Sequence, residues 1–211
     1  MRIKTKMNSQ KKLSFIEEAR RNQIMTCAIE LISSRGYAQA SLAQIAKEAG
    51  ISKGVISYHF SGKDDLIEQI VSDLYESGST FMTPYLAAQT TALGWINTYI
   101  DKNVMFMKSH RKHVIAVTEI IFHARDEEGK PRHFRNIDTD ATINVLVKML
   151  HRGTMEGDFR EFTDFSARVL AATIRSAIDG LSFQLAASLD LDLDAYAKEL
   201  VTIFQMAARK V

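Results

Sequence analysis

Apolar residues recur along most of this chain at the spacing of amphipathic helices, and the pattern is most compressed between Ser41 and Phe60. There Leu42, Ile45, Ala46 and Ala49 stand at i, i+3, i+4 and i+7, on one face of a short helix. Ser41 followed by Gln44 fits a capping box at its start. Gly50 enters the left-handed conformation without a Cβ penalty, so the chain can stop and turn sharply. Ser52 then caps a second short helix, in which Val55, Ile56 and Phe60 can face inward while Lys53, Gly54, Ser57, Tyr58 and His59 face out. Two short helices joined by a tight glycine turn form a helix-turn-helix, whose second helix fits the major groove of DNA.

The same periodicity fills the rest of the chain. Ser14 and Glu17 make a capping-box pattern, followed by a buried stripe of Ile24, Cys27, Ala28, Leu31 and Ile32 that Arg35-Gly36 ends. Ser61 and Asp64 repeat the S-x-x-[DE] signal before Leu66, Ile67, Ile70, Val71 and Leu74. That fourth helix is expected to end at Thr83, because Pro84 disfavours helix in the residue before it. Trp95 to Met107, Val114 to Phe122 and Ile143 to Leu150 carry further stripes, and residues 125–136 (RDEEGKPRHFRN) read as an exposed loop. Two more helices follow, one over about Thr163 to Leu189 and one around Leu193 to Phe204. The expectation is an all-α protein of about nine helices: a basic flexible arm over 1–13, a helix-turn-helix domain over 14–62 and a larger helical domain over 63–211.

Charge sharpens this division. The net charge of +2 hides eleven Lys and Arg against four Asp and Glu up to Lys63, which leaves sixteen against twenty-one beyond it. A basic first third on a mildly acidic body points to a polyanionic partner for that third. The arm, with Arg2, Lys4, Lys6, Lys11 and Lys12, reads either as a solvated tail or as a segment that touches phosphates. The single cysteine, Cys27, excludes an internal disulfide and sits in a core stripe; with no signal peptide and no membrane-length apolar run, the expected location is the cytoplasm.

The run G-Y-x-x-A-S-L-x-x-I-A-x-x-A-G-I-S-K-G-x-I-x-Y-H-F-x-x-K-D-D-L, from Gly36 to Leu66, resembles the DNA-binding domain of the TetR family of transcriptional regulators. The likeness covers about 50 residues with the first helix included. It implies a three-helix DNA-binding domain joined by the fourth helix to a helical domain that dimerises and binds a small molecule. Carried over by position, Ser41 resembles the family's phosphate-binding Ser/Thr, Lys53, Gly54, Val55 and Ser57 lie on the base-reading face, Tyr58 and His59 match an aromatic-histidine pair beside the backbone, and Lys63 matches a phosphate-binding lysine. Ser57 departs from the pattern: that position is often aromatic, and here the aromatic is Tyr58. The residue chemistry agrees, because lysine can donate to guanine O6 and N7, a serine hydroxyl serves any base, and Gly54 lets the backbone come close. Val55 could pack under the helix or touch a thymine methyl.

In the second domain, large side chains mix with polar ones, as in ligand pockets between helices. The candidate effector pocket is Trp95, Tyr99, Phe106, Phe122 and His123, with Asn103, Thr118 and Glu119 close by in sequence. His110 and His113 share a helix face but have no carboxylate or thiol at matched spacing, so no metal is expected. Asp190, Asp192 and Asp194 imitate half a calcium loop, yet Ala195 and Val201 replace its glycine and glutamate, and a capping role suits them better. Small residues in the penultimate helix allow a two-fold four-helix interface, at Thr173, Ala177, Gly180, Leu181, Val201 and Phe204, where the family resemblance also implies dimer contact. No nucleophile, base or cofactor motif is visible, so an enzyme is not expected. The functional expectation is a homodimeric repressor released from a pseudo-palindromic double-stranded operator by a small molecule; the alternative is an activator or architectural factor without ligand control.

Overall fold

The computed structural model describes residues 14–135, 137–187 and 191–210. The arm over 1–13 and Asp190 lie outside the described residues. Among those described there are nine α-helices and no strand: α1 (Phe15–Arg35), α2 (Leu42–Glu48), α3 (Lys53–His59), α4 (Lys63–Ala87), α5 (Ala92–Ser109), α6 (Arg111–His123), α7 (Thr139–Glu156), α8 (Asp164–Ala186) and α9 (Leu193–Ala208), with a 3-10 turn at Tyr37–Gln39.

Two cores organise the helices. The first gathers Ile24, Ala28, Leu31 and Ile32 of α1, Ile45 of α2, Ile56 of α3, Phe60, and Leu66, Ile67, Ile70 and Val71 of α4. It also takes in Ala116, Val117 and Ile120 of α6, with Ala124 and Phe134. The head therefore does not close at residue 62: the first turns of α4 and one face of α6 supply part of its interior. The second core joins α5, α7, α8 and α9 through Ile96, Ile100, Leu146, Leu150, Ile174, Ile178 and Leu200, and Leu74 of α4 touches both.

Most helix ends follow the sequence signals. Ser14 and Glu17 form the full reciprocal box, Ser14 N–H donating to Glu17 Oε2 at 2.8 Å and Glu17 N–H to Ser14 Oγ at 3.3 Å. The signal at Ser61 is used one step differently: Gly62 is the N-cap of α4, and the Asp65 carboxylate accepts the Ser61 N–H at 2.9 Å. Helix α4 also passes Pro84 and ends at Ala87. Proline there forfeits one bond in the last turn, while the Ala88 and Gln89 N–H groups still close on Pro84 and Leu86. Lastly, residues 125–135 are not merely an exposed loop. Phe134 enters the head core, and Arg132 pairs with Asp64 at 2.9 Å and Glu68 at 3.5 Å, which fastens the segment to the start of α4.

Candidate nucleic-acid interface and effector pocket

The two short helices α2 and α3 are too brief to hold their shape alone, and α1 finishes both of them. Gln23 donates to the Ala49 carbonyl at 3.1 Å, and Arg21 donates to the His59 carbonyl, so the free carbonyls at both C-termini find partners. Arg21 also lies 4.2 Å from the Phe60 ring centroid. Gly50, at φ 65°, makes the turn between them. Ile56 and Phe60 are fully buried beneath α3 and fix which side looks outward.

The outward side carries Ser52, Lys53, Gly54, Ser57 and Tyr58, all exposed, with Val55 and His59 half-buried at its margins. Val55 thus packs partly under the helix. The Ser57 hydroxyl donates back to the Lys53 carbonyl at 3.2 Å and keeps its acceptor lone pairs outward. Tyr58 is 74 % exposed, meets the edge of His59 at 5.0 Å, and donates its hydroxyl to Glu17 Oε1 at 3.2 Å. Ser41 accepts the Gln44 N–H at 3.2 Å, which leaves its own O–H to donate; Ser52 makes no such cap.

Lys63 makes an internal contact that its position in the motif does not disclose. Its ammonium donates to the Tyr37 carbonyl at 3.1 Å and sits 3.9 Å from the centre of the Tyr37 ring. Burial lowers its pKa, and neighbouring Asp64 opposes that shift. From the other side Glu119 of α6 accepts the Tyr37 N–H at 3.3 Å. The short turn that leads into Ser41 is thus held between α4 and α6. Two further contacts reinforce the junction: Lys112 pairs with Glu30 at 2.6 Å, and His113 Nε2 donates to the Ile70 carbonyl at 2.8 Å. The sequence does not single out Arg21 or Gln23, holds Tyr37 only as a letter of the motif, and sets Glu119 beside the candidate effector pocket; Tyr37 and Glu119 are 82 positions apart, and no periodicity links them.

The five residues expected to line one effector pocket do not converge. Trp95 stacks on Tyr99 at 5.4 Å, and the Tyr99 hydroxyl accepts from Arg175 at 2.9 Å inside the body core. Phe122 meets Phe183 edge-on at 4.7 Å on the outside of the body. His123 is exposed and lies 3.4 Å from Glu119. Phe106 borders an open groove. Asn103 and Thr118 spend their polar groups on the carbonyls of Tyr99 and Val114 in their own helices. Sequence proximity put these residues together, and their rotation around α5 and α6 separates them.

Burial opposes the charge of Arg175, but Asp179 and Tyr99 outweigh it and raise its pKa. Tyr75 is raised as well, by burial and then by Asp179. The body core itself holds a void of only about 10 Å³, beside Ile96, Leu150, Phe159 and Phe204. A larger groove of about 490 Å³ lies between α4 and the end of α5, bordered by Asp73, Glu76, Ser77, Thr80, Phe81, Phe106 and His110.

Of the residues expected at a dimer contact, Leu181 and Phe204 are buried in the core of the single chain. Thr173 is exposed, and Ala177, Gly180 and Val201 are half-buried. The outer faces of these helices present Phe165, Val169 and Phe183 from α8, and Ile203 and Met206 from α9. Asp192 caps α9, accepting the Asp194 and Ala195 N–H groups at 3.1 Å each. Burial, followed by Glu48 and Glu30, raises the pKa of the Cys27 thiol. Among the described residues no group of three or more His, Cys, Asp or Glu is placed to hold a metal ion, and no helix is long and apolar enough to cross a membrane.

Residues 24–70 match the family model for bacterial regulatory proteins of the tetR family. A relative from Chromohalobacter salexigens, the HTH-type transcriptional regulator BetI 1, is 44% identical over 63 residues, which are 28% of this chain and 31% of that protein. The match to it is thus confined to less than a third of its length. The fatty acid metabolism regulator protein of Bacillus subtilis is 24% identical over 143 residues, 67% of this chain and 72% of that one. Among solved structures, the transcriptional regulator FadR of Bacillus subtilis in complex with stearoyl-CoA superposes with a TM-score of 0.70 at 22% identity, covering 87% of this chain and 96% of that one.

Proposed function

We propose that this chain, which belongs to the TetR family of bacterial regulatory proteins and is a DNA-binding transcriptional regulator, acts as a homodimeric repressor released from its operator by a small molecule. The observation that carries the reading is the recognition face: Lys53, Gly54, Ser57 and Tyr58 exposed together on a helix that Ile56 and Phe60 hold rigidly on a basic head. Lys53, Gly54, Val55 and Ser57 read base edges, while Ser41, Ser52, Tyr58, His59 and Lys63 engage the phosphate backbone. The second copy docks on the outer faces of α8 and α9, around Thr173, Ala177, Gly180 and Val201, with Phe165, Ile203 and Met206 in place of the inward Leu181 and Phe204. Pairing there sets two recognition helices about 34–36 Å apart, one DNA turn.

The body governs the head through the Tyr37 turn. Lys63 and Glu119 grip that turn from α4 and α6, so a shift of either helix moves the segment that leads into α2. An effector releases DNA to the extent that it binds the shifted conformer more tightly. The stearoyl-CoA of the solved relative is not carried over, because a polyanion would meet Asp73 and Glu76 and no Lys or Arg at the groove.

Selection from a random duplex library, followed by gel shift and sedimentation of the complex, tests the reading. A pseudo-palindromic site bound by two chains is expected. A monomer on DNA, or no preference among duplexes, overturns it; raised transcription from the bound promoter identifies an activator instead.

A further inference from the structure

We propose that Arg132 is a positioning residue for DNA binding: reaching back from the segment between α6 and α7, it neutralises Asp64 and Glu68 and so keeps the start of α4, with Lys63, open to a phosphate. This rests on the proposed phosphate role of Lys63 and adds to it a residue from outside the helix-turn-helix.

The charge at the start of α4 is the first support. A helix N-terminus bearing a lysine attracts phosphate, but here Lys63 is followed by Asp64, Asp65 and Glu68 within the first two turns. Left unanswered, these carboxylates repel a DNA backbone. Asp65 is taken up by the Ser61 N–H at 2.9 Å. Asp64 and Glu68 share Arg132 instead, with Nη1 at 2.9 Å from Asp64 Oδ2 and Nη2 at 3.5 Å from Glu68 Oε2. Glu68 also accepts the Arg135 N–H at 3.0 Å.

The segment is built to hold that guanidinium still. Asp126 Oδ1 accepts the N–H groups of Glu128 and Lys130 at 3.0 and 2.9 Å, Gly129 turns the chain at φ 77°, and Arg125 and Pro131 form an antiparallel bridge. The Arg132 N–H then donates to the Ala124 carbonyl at the end of α6, at 3.1 Å, while Phe134 is seated in the head core. Arg132 thus stands between two anchors. Its side chain is only 20 % exposed, and its Nε is buried without a hydrogen-bond partner among the described residues. The two carboxylates therefore carry the task of answering its charge, in a place that salt screens less than open surface.

The pairing reaches Lys63 through Tyr37. Burial raises the pKa of the Tyr37 hydroxyl, Asp64 adds to the rise and Arg132 opposes it, so both charges act on the ring over which the Lys63 ammonium sits. Without Arg132, Asp64 is left to compete with a phosphate for that ammonium.

The test is a cycle in the full chain: operator and random-duplex affinities of R132Q, then of R132Q in a D64N/E68Q background, at a temperature where circular dichroism shows every protein folded. Alone, R132Q should weaken both duplexes about fivefold, with the salt slope kept because Arg132 itself touches no phosphate. In the D64N/E68Q background the same change should cost less than about twofold, because the charges it answered are gone. A merely structural role predicts the same loss in both backgrounds, and that result overturns the proposal; so does a slope flattened by about one unit, which makes Arg132 a direct phosphate contact. Arg132→Lys keeps the charge and decides the matter even if R132Q fails to fold: a loss below about twofold is expected, and one of about fivefold or more overturns the electrostatic role. The salt slope of Lys63→Ala judges the phosphate role of Lys63 separately, so its failure is told apart from a failure of the Arg132 cycle.

Discussion

The head and the body solve their packing in opposite ways. In the head every short helix is closed by named partners: Gln23 and Arg21 finish α2 and α3, Gly50 makes the turn, and Ile56 and Phe60 are buried beneath the outward face of α3. In the body large side chains are distributed over several surfaces, polar groups are spent on their own helices, and one groove is left unfilled with carboxylates on its rim. A part that must present one fixed surface tolerates no slack, whereas a part that answers a ligand needs a place where packing is incomplete. Under the proposed function, rigidity and responsiveness fall to different stretches of one chain.

The largest effect expected from breaking this contrast lies under α3. Phe60→Ala removes a fully buried ring and the seat of Arg21, and should cost about 3–5 kcal/mol in urea unfolding together with all specific DNA binding. A variant with unchanged midpoint would mean that the head is not the tightly packed part. Next comes a place where the body is tight: a Cβ at Gly153 would fall 2.1 Å from the Phe159 ring, so Gly153→Ala should destabilise by about 1–3 kcal/mol while the isolated recognition face stays intact. Thermal melting against operator affinity separates the two.

Lys53 and Lys63 sharpen the comparison within the interface. Lys53→Ala should relax specificity at one operator position, at about 1–3 kcal/mol, with the salt slope nearly kept. Lys63→Ala should weaken all duplexes alike and flatten the slope by about one unit. Since Lys63 also holds the Tyr37 carbonyl, Lys63→Arg tests which duty matters more: restored binding with an unrestored melting temperature assigns the affinity to phosphate contact.

The smallest effect is a pH response at the seam. Burial lowers the pKa of His113, against opposition from its bond to the Ile70 carbonyl and from Asp73, with His110 adding to the lowering. The unfolded chain therefore binds this proton more readily, and stability rises with pH through the window just below the ordinary value of about 6.5. The contribution is complete above that value and is lost as the solution is acidified. Melting curves from pH 7.5 to 5.5 should show this loss, and His113→Gln should shallow it.

How much of this was legible in the chain depends on the distance between cause and effect. Ser52, Gly50 and the Ile56/Phe60 pair announce α2, α3 and their orientation because the causes are local. The capping boxes at Ser14 and Ser61 announce helix starts, although Gly62 took the cap and Asp65 bonded Ser61. Nothing local announced that Tyr37 would be gripped by Lys63 and Glu119, or that Phe134 would leave a charged, Gly- and Pro-containing segment to complete the head. In the body, a list of large residues close in sequence could not reveal which side of α5 or α6 each would take; Phe106 turned to the groove while Phe122 turned to Phe183. The groove borders a polar face of α4 that runs from Asp73 through Glu76 and Ser77 to Thr80, beside the buried stripe.

The interior of the head is borrowed in part: Ala116, Val117, Ile120 and Phe134 come from beyond the segment that reads as a DNA-binding module. Grafting residues 14–62 onto a foreign scaffold would therefore strip away a wall of that interior along with the Glu119 grip. Changing the few outward side chains of α3 leaves that interior untouched, whereas exchanging the whole head requires α6 to travel with it.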